Sequence, residues 1–443
     1  MQFKLFVKLA AIAGMSALLL IPLWMIQAQI ETRSAHQAEV VRNIAESAAG
    51  PQALLGPVLV VRYREKVQQR DKDPATGREV VRQETVESIS VLPPQRLKIG
   101  GEARVESRRR GLYRARVYHL ALQVSGSGHV APNLGLAPNH NIVDAQAFLV
   151  LGISDPRGIE NDPEVGVNGS TRRFEAGALG LSSPQGVHLA LGPVEIAEGG
   201  SYDFAFPLNL TGSERLSIAP AGDATSVALR SDWPHPSFQG RFTPSTRTVG
   251  AAGFEANWQV SHLARSFDRV LRTQDSALIP ETLDVDFIDP VNVYLMADRA
   301  VRYGILFVVL TFAAFFLTEI LSRRSIHPLQ YLLVGLALAV FFLLLIALSE
   351  HIRFALAYAA SAAACAALIG YYLCAALASV KRGGAFAGAM AALYAVLYGV
   401  LQSEDNALLM GTLLLFAALA ATMLATRRLD WYRIGAPALD PAR

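Results

Sequence analysis

The sequence predicts a membrane protein of the α+β class, with six transmembrane helices and a large antiparallel, sandwich-like β domain between the first and second helices. Three observations lead to this class. Hydrophobic residues make up 52% of the chain and charged residues only 17%, a balance typical of membrane proteins with a soluble part. Leu329–Leu348 is an uncharged run of 20 residues, and as a helix it would span roughly 30 Å, the thickness of a bilayer's hydrocarbon core. From Leu54 to about Ile288 the apolar pattern changes to the period of two that strands show.

Composition also excludes several classes. A chain of 443 residues exceeds one ordinary domain. Its net charge of +3 is small and its charged residues are scattered, so we predict no nucleic-acid partner. The two cysteines, Cys365 and Cys374, lie in one apolar segment and point to nearly opposite faces of a helix. No disulfide framework is therefore available to the β region.

Residues 1–30 predict the first transmembrane helix. Lys4 and Lys8 precede the apolar run Leu9–Ile26, which places the N-terminus in the cytoplasm. A cleaved signal peptide is the alternative, but the run is long for one and no small-x-small site precedes Glu31. Residues 31–50 continue the helix outward until Gly50-Pro51 ends it.

The region 31–300 predicts the β domain, because alternating segments follow one another with Gly, Pro, Asn and Asp between them. No long helical pattern interrupts them, which argues against a parallel α/β fold. One short helical pattern covers His262–Leu271, and Ala131–Asn141 would be the seam if there were two domains. The predicted strands are Pro57–Tyr63, Glu84–Leu92, Gly111–Val124, Ala147–Ile153, Val187–Leu191 and Tyr202–Leu210.

Residues 301–430 predict a domain of five further helices, and residues 431–443 a cytoplasmic tail. Some of these helices carry small residues at every fourth position, as in Ala355, Ala359, Ala363 and Ala367. Such stripes favour close packing of helices in lipid. The predicted helices are Tyr303–Leu321, Leu329–Leu348, Phe354–Ser379, Ala385–Leu401 and Ala407–Ala425.

Charged residues near the helix ends predict the orientation. Basic pairs follow helices two, four and six at Arg323-Arg324, Lys381-Arg382 and Arg427-Arg428. Acidic residues follow helices three and five, at Glu350 and at Glu404-Asp405. Basic residues stay on the cytoplasmic side, so both termini are predicted inside and residues 31–300 outside the cytoplasm.

Several long strings carry a family resemblance. The run YGILFVVLTFAAFFLTEILSRRSIHPLQYLLVGLALAVFFLLLIALSEHIRFALAY (303–358) closely resembles the CreD inner-membrane protein family of Gram-negative bacteria. SDWPHPSFQGRFTP (231–244), FEANWQVSHLAR (254–265) and RRRGLYRARVY (108–118) are similar to signatures of its periplasmic domain. The resemblance implies an inner-membrane protein linked to envelope integrity and to a two-component stress regulon, with residues 31–300 periplasmic. It supplies no reaction and no catalytic residue.

Two polar groups flank the predicted helices. Glu319 can face Arg323 at i,i+4 spacing, either as a salt bridge that fixes helix depth or, less favoured, as part of a proton or ion pathway. Glu350 and His351 form the turn between helices three and four. Two adjacent residues are too few for a metal site, so a solvated turn is favoured over a metal ligand or proton relay.

Two exposed candidates lie in the β region. Trp233 and His235 are locked between prolines, either as a rigid recognition loop or as a buried tryptophan in a stiff turn. Arg108, Arg109 and Arg110 form either a solvated strand face or a contact with phosphates of anionic lipid or lipopolysaccharide.

Motifs for catalysis are missing from the sequence. Gly152-Ile-Ser154-Asp-Pro156 departs from the nucleophile-elbow pattern at its last position. We predict no enzyme activity, no catalytic residue, no cofactor and no metal. The predicted role is a non-enzymatic component of envelope integrity, with the β domain as its interaction surface. Its partners are the lipid bilayer and an unidentified envelope protein or lipid, and the oligomeric state stays open. The alternatives are a small-solute or ion transporter through the helices, and a membrane-tethered periplasmic hydrolase.

Overall fold

The structure is a computed structural model that describes residues 2–72, 79–138, 140–179, 185–265, 281–287, 292–322, 326–402 and 407–427. The chain forms two compact units. The helical unit combines Met1–Ala38 with Val291–Arg443, and the β unit is Glu39–Pro290. The α+β class with a large, mostly antiparallel β domain is confirmed.

Eight α-helices lie in the described residues. They are α1 Gln2–Leu18, α2 Leu20–Ser47, α3 Val293–Arg302, α4 Gly304–Ser322, α5 Pro328–Ser349, α6 Phe354–Ala376, α7 Val380–Gln402 and α8 Ala407–Thr426. Phe6–Ile44, α5, α6 and α7 are each long and apolar enough to cross a membrane. The pair α3 and α4, bent by 44°, would make a fifth span, and α8 contains the shorter apolar stretch Leu409–Leu424. The number six therefore stays a prediction.

The start of α5 is fixed by its local sequence. The His327 side chain accepts a hydrogen bond from the Leu329 N–H at 3.2 Å, and the Gln330 side chain accepts one from the His327 N–H at 3.2 Å. These two bonds form a capping box, and Pro328 occupies the first helical position, where its missing N–H costs nothing. The apolar run then continues uninterrupted to Ser349.

Helix α3 was missed by the sequence analysis, which began the second helix at Tyr303. The Asn292 side chain caps α3 by accepting from the N–H groups of Tyr294 and Leu295. One face of α3 is buried through Tyr294, Ala297, Ala300 and Val301. Its three charged residues interrupt the apolar pattern, so a search for long apolar runs does not detect this helix.

The small-residue stripe of α6 lies on an exposed face, contrary to the predicted role in helix packing. Ala355, Ala359, Ala363 and Ala367 are all exposed. The buried face of α6 instead contains larger residues together with Ser361 and Gly370. Alanine spacing alone does not identify the contacting face, because alanine is common on every side of these helices.

Sixteen strands form two eight-stranded sheets within the described residues. The strands are β1 Gln52–Lys72, β2 Glu79–Leu92, β3 Arg96–Arg110, β4 Tyr113–Val130, β5 Asn141–Ile153, β6 Glu164–Val167, β7 Ser170–Arg173, β8 Glu175–Ala176, β9 Gly186–Pro193, β10 Gly200–Ser213, β11 Arg215–Ala219, β12 Ala224–Ser231, β13 Pro236–Gly240, β14 Thr246–Gly250, β15 Gly253–Ser261 and β16 Leu283–Phe287. The first sheet has the order β13-β16-β11-β1-β5-β9-β8, with β2 also paired to β1. The second has the order β14-β15-β12-β3-β4-β10-β6-β7.

All six predicted strands overlap observed ones. Pairing is antiparallel except between β1 and β11 and between β3 and β12. Those two parallel pairs join strands that are distant in sequence, so no local pattern predicts them.

The two sheets pack face to face over one core. Along β10 every second side chain is buried, including Phe204, Phe206 and Leu208. Aromatic pairs bridge the sheets, with Tyr118 of β4 4.8 Å from Phe287 of β16 between ring centroids. This is the sandwich arrangement expected of two antiparallel sheets.

Two further predictions concern connections. Ala131–Asn141 contains a short 3₁₀ helix, Pro132–Gly135, and leads from β4 in one sheet to β5 in the other. It therefore connects the layers of one unit rather than two domains. Within His262–Leu271, a 3₁₀ turn covers His262–Ala264, and residues 266–271 lie outside the described residues.

Candidate functional site

Glu319 is an enclosed acidic group of the helical unit. Its side chain is only 8% exposed and forms an ion pair with Lys8 of α1. It also accepts hydrogen bonds from the Ile326 N–H at 3.0 Å and the Tyr331 hydroxyl at 2.8 Å. The predicted partner, Arg323, lies outside the described residues. Glu319 thus joins α1, α4 and the start of α5.

Glu350 ends α5 and is also enclosed. Its side chain is 8% exposed, lies 3.5 Å from Arg33 and accepts a hydrogen bond from the Tyr294 hydroxyl at 2.9 Å. The predicted solvated turn is therefore wrong for Glu350, because side chains of α2 and α3 cover it. His351 is exposed, with its Nδ1 3.0 Å from the Ala347 carbonyl oxygen.

Asp298 of α3 is a third enclosed carboxylate, and the sequence analysis missed it. It accepts a hydrogen bond from Gln27 of α2 and pairs with Arg302 at 2.9 Å. Its i,i+4 spacing from Arg302 was an available signal. Each of these three acidic side chains has a cationic or donor partner on a different helix, which is what burial of a charge requires.

The hairpin of β3 and β4 presents the predicted arginines. We call residues 108–116 the arginine hairpin. Its turn is Gly111-Leu112, and Gly111 has φ 62°, a conformation that favours glycine. Arg108, Arg109 and Arg110 are all exposed, and Arg108 donates to Glu106 at 2.6 Å.

Trp233 lies against the arginine hairpin. Its ring is half-buried on the sandwich core, and the Arg116 guanidinium lies 4.5 Å from the ring centroid. Its indole N–H donates to the His235 carbonyl at 3.0 Å, and the His235 side chain is exposed. The structure therefore brings together two candidates that the sequence treated separately, and it adds Arg116.

A polar network around His119 was also missed. Thr211 donates its hydroxyl hydrogen to Glu160, and His119 Nδ1 lies 2.8 Å from the Glu160 carboxylate and 2.9 Å from Thr211 Oγ1. The Thr211 hydrogen bond, helped by His119, lowers the pKa of Glu160. Hydroxyl, imidazole and carboxylate are the groups of a hydrolytic triad, but a triad needs the hydroxyl and the acid on opposite ring nitrogens. Here Thr211 and Glu160 both lie at Nδ1, and Thr211 gives its hydrogen to Glu160 rather than to the imidazole. The carboxylate nearest Nε2, Glu106, is 3.6 Å away and is paired with Arg108, so the arrangement is not that of a triad.

Ser154 has a structural environment. Its hydroxyl donates to the Pro51 carbonyl at 2.9 Å and accepts from the Ala53 N–H at 2.8 Å. These bonds hold the beginning of β1 against the end of β5. An activated serine would instead hydrogen-bond to a base.

Two cavities differ sharply in size. A cavity of about 10 Å³ lies among the helices, lined by apolar residues such as Phe307, Leu397 and Leu414, and it has room for about one water molecule. An open cleft of about 490 Å³ lies in the β unit, between Phe174, Val187 and Leu208, with Asp162 and Glu175 at its edge.

Apolar helices of membrane-spanning length, with enclosed and paired charges, define an integral membrane protein that carries a β-sandwich. The family model described as "Inner membrane protein CreD" matches residues 4–432. The Inner membrane protein CreD of Escherichia coli (strain K12) is 36% identical over 448 residues, covering 100% of this chain and 97% of that protein. The chain belongs to the CreD family of inner membrane proteins, and the resemblance seen in the sequence is confirmed.

Solved structures give only remote similarity. The M1 zinc metallopeptidase of Deinococcus radiodurans has a TM-score of 0.21 at 10% identity, over 44% of this chain and 42% of that chain. A mutant of a two-domain M1 zinc metallopeptidase bound to L-arginine has a TM-score of 0.20, also at 10% identity and with the same coverage. Similarity at this level supports no conclusion about chemistry.

Proposed function

We propose that this CreD family member is a non-enzymatic protein that supports envelope integrity during stress. In this proposal the β unit makes the functional contact, and the helices hold it at the inner membrane. The observation that carries the proposal is a contrast between the units. The enclosed carboxylates of the helical unit are already paired with cations or hydrogen-bond donors on other helices. The β unit, in contrast, exposes cations and a cleft.

The helical unit supports an anchoring role. Glu319, Glu350 and Asp298 all bridge helices through ion pairs or hydrogen bonds. A transport route needs ionisable groups that face a water-filled path, and the cavity lined by Phe307, Leu397 and Leu414 is apolar and has only about 10 Å³. These features favour tight packing over passage of a solute.

The β unit supports a binding role. The exposed arginine hairpin lies beside the half-buried Trp233, and aromatic and arginine side chains are the residue types enriched at binding surfaces. The bonds of Ser154 and the arrangement at His119 argue against a hydrolase, since neither pairs a free hydroxyl with a positioned base.

The proposed topology has six spans, both termini in the cytoplasm and residues 31–300 in the periplasm. The one-sided distribution of basic residues supports it. So does the presence of up to five apolar spans plus α8 in the described residues.

Two sets of substitutions test the proposal in cells that lack the native protein. The first set is Glu319→Gln with Glu350→Gln, and the second is Trp233→Ala with Arg108→Ala and Arg109→Ala. Envelope-stress tolerance is scored at matched protein levels in the membrane. We expect the first set to retain tolerance and the second to lose it.

A matched control distinguishes the loss of this particular surface from the loss of positive charge in general. Arg96→Ala with Lys98→Ala removes two exposed cations from the same strand, β3, at the end opposite the hairpin turn. This control should retain tolerance. Loss of tolerance confined to the first set, with the protein inserted and folded, would replace the proposal with a transport role.

A further inference from the structure

We infer that the arginine hairpin binds the phosphate groups of an anionic lipid surface, through Arg109 and Arg114, with Leu112 entering the headgroup layer. This deepens the proposed function and rests on it, because it names the chemistry of the contact that the β unit makes.

Strand register assigns the arginines to two faces. Arg109 is paired with Arg114, and Ser107 with Arg116, and residues directly opposite each other in a sheet share a face. Arg109, Arg114 and Arg116 therefore lie on one face. Arg108 lies on the other, where Glu106 already neutralises it.

The other face of the hairpin is covered within the β unit. Ala115 and Val117 are buried against Ile44, with Val40 and Val41 packed beside them. These three residues belong to the last turns of α2, and Ile44 ends the apolar helix Phe6–Ile44. On the opposite face Trp233 covers Arg116, whereas Arg109 and Arg114 are exposed.

Two like charges directly opposite one another destabilise a strand pair. Arg109 and Arg114 form such a pair, and neither makes an ion pair with any residue that the structure describes. Arg116 is held by stacking on Trp233. A cation pair of this kind is stabilised by an anion that bridges it, and guanidinium groups bind phosphate oxygens in a bidentate manner.

The turn favours a lipid over a soluble anion. Leu112 is 49% exposed at the apex of the hairpin, with arginines on both sides of it in the sequence. An apolar side chain surrounded by cations suits the boundary between lipid headgroups and acyl chains. A free phosphate offers nothing for Leu112 to contact.

The test uses the full chain in lipid nanodiscs. Leu112→Cys, in a background of Cys365→Ala and Cys374→Ala, is labelled with an environment-sensitive fluorophore. Discs of phosphatidylcholine alone are compared with discs that also contain phosphatidylglycerol. We expect blue-shifted emission, and quenching by a lipid-attached quencher, in the anionic discs, with both signals weakened by salt.

Charge variants make the test specific. Arg109→Gln with Arg114→Gln should reduce the ratio of inserted to solvent-exposed label by about fivefold for each arginine removed. The control Arg96→Gln with Lys98→Gln removes the same charge from the end of β3 opposite the hairpin turn and should leave the ratio unchanged. Protection of Arg109 and Arg114 from phenylglyoxal, read by mass spectrometry on the unlabelled protein, gives the same comparison without the cysteine.

Equal signals in both kinds of disc, or an equal loss in the control pair, would overturn the inference. The stress assay separates this failure from failure of the proposed function. If Arg109→Gln with Arg114→Gln abolishes stress tolerance without any lipid signal, the β unit acts through another partner. If the lipid signal is present but tolerance is unaffected by these substitutions, the proposed function fails instead.

Discussion

Glu319 and Lys8 are 311 positions apart in the chain and form one ion pair within the helical unit. Taking both charges out of water is costly, and their attraction offsets that cost only with additional hydrogen bonds. Tyr331 and the Ile326 backbone supply these bonds. The same arrangement ties α1 to α4 and to the start of α5.

A double-mutant cycle tests this pair. Glu319→Leu should destabilise the protein by about 3 to 5 kcal/mol, because it leaves the Lys8 ammonium enclosed without its counter-charge. Adding Lys8→Met should recover much of the loss. Thermal unfolding in detergent measures both, and the exposed Lys66→Met serves as the control. Additive effects of the two substitutions would show that the pair is not coupled.

Glu160 gives a pH prediction for the β unit. Its hydrogen bond from Thr211 and its contact with His119 lower its pKa below the usual 4.5. A carboxylate whose pKa is lower in the folded than in the unfolded protein stabilises the fold above the unfolded pKa. That contribution is lost as the pH falls through the folded pKa. The melting temperature of Glu160→Gln should therefore fall below that of the native protein at neutral pH, and the difference should vanish in acid below 4.5.

Two further variants identify the source of this effect. Thr211→Val removes the largest cause of the lowered pKa and should reproduce the pH dependence of Glu160→Gln. Glu198→Gln removes an exposed carboxylate in a turn and should change the melting temperature less than Glu160→Gln does at neutral pH. A gap between Glu160→Gln and the native protein that persists unchanged into acid would contradict the assignment.

At the scale of elements, α6 and α7 approach most closely at single glycines. A Cβ on Gly370 would lie 2.6 Å from the Ala387 Cβ, and a Cβ on Gly383 would lie 2.4 Å from the Cys374 Sγ. Backbones can approach this closely only where no side chain intervenes. The contact therefore depends on Gly370 of α6 and on Gly383 and Ala387 of α7, which are four residues apart.

Adjacent glycines in α7 allow a matched test. Gly383→Ala should destabilise the helix pair by about 1 to 3 kcal/mol, since the new methyl group also meets the Cys374 backbone at 2.7 Å. Gly384→Ala has nothing within 4 Å and should be neutral or stabilising, by up to about 1 kcal/mol, from helix propensity. Thermal unfolding of the two variants in the same detergent gives the comparison. Equal effects would show that the close approach does not contribute to stability.

The sequence predicted those elements whose pattern is local. Strands such as β10 alternate strictly, and α5 is uniformly apolar, so their periods identify them. Helix α3 was missed because its buried face is short and its charges are frequent. The parallel partners of β1 and β3, in pairs such as Gln52 with Leu216 and Arg96 with Ala224, come from more than 100 positions further along the chain, where no local period applies.

The candidate sites show the same difference between what a local pattern reveals and what depends on distant segments. Residue type and spacing identified Glu319, Glu350, Trp233 and the arginines as worth attention. Their partners, such as Lys8 for Glu319 and Trp233 for Arg116, depend on packing between distant segments. The sequence therefore indicated which residues carry chemistry but not which of them act together.

For the whole molecule, the number of spans decides which side of the membrane each part occupies. The uncertain span is α8: its apolar core, Leu409–Leu424, covers only about 24 Å as a helix, whereas Ala407–Thr426 covers about 30 Å. We predict that α8 crosses the membrane, since basic residues are expected to remain in the cytoplasm and Arg427 comes at its end.

A C-terminal reporter that is active only outside the cytoplasm should then be inactive. The same reporter should be active when fused near residue 150 or residue 404, and inactive near residue 325 or residue 382. Activity at the C-terminus, with the other four fusions as predicted, would reduce the protein to five spans, and reversal at any other fusion would refute the proposed topology.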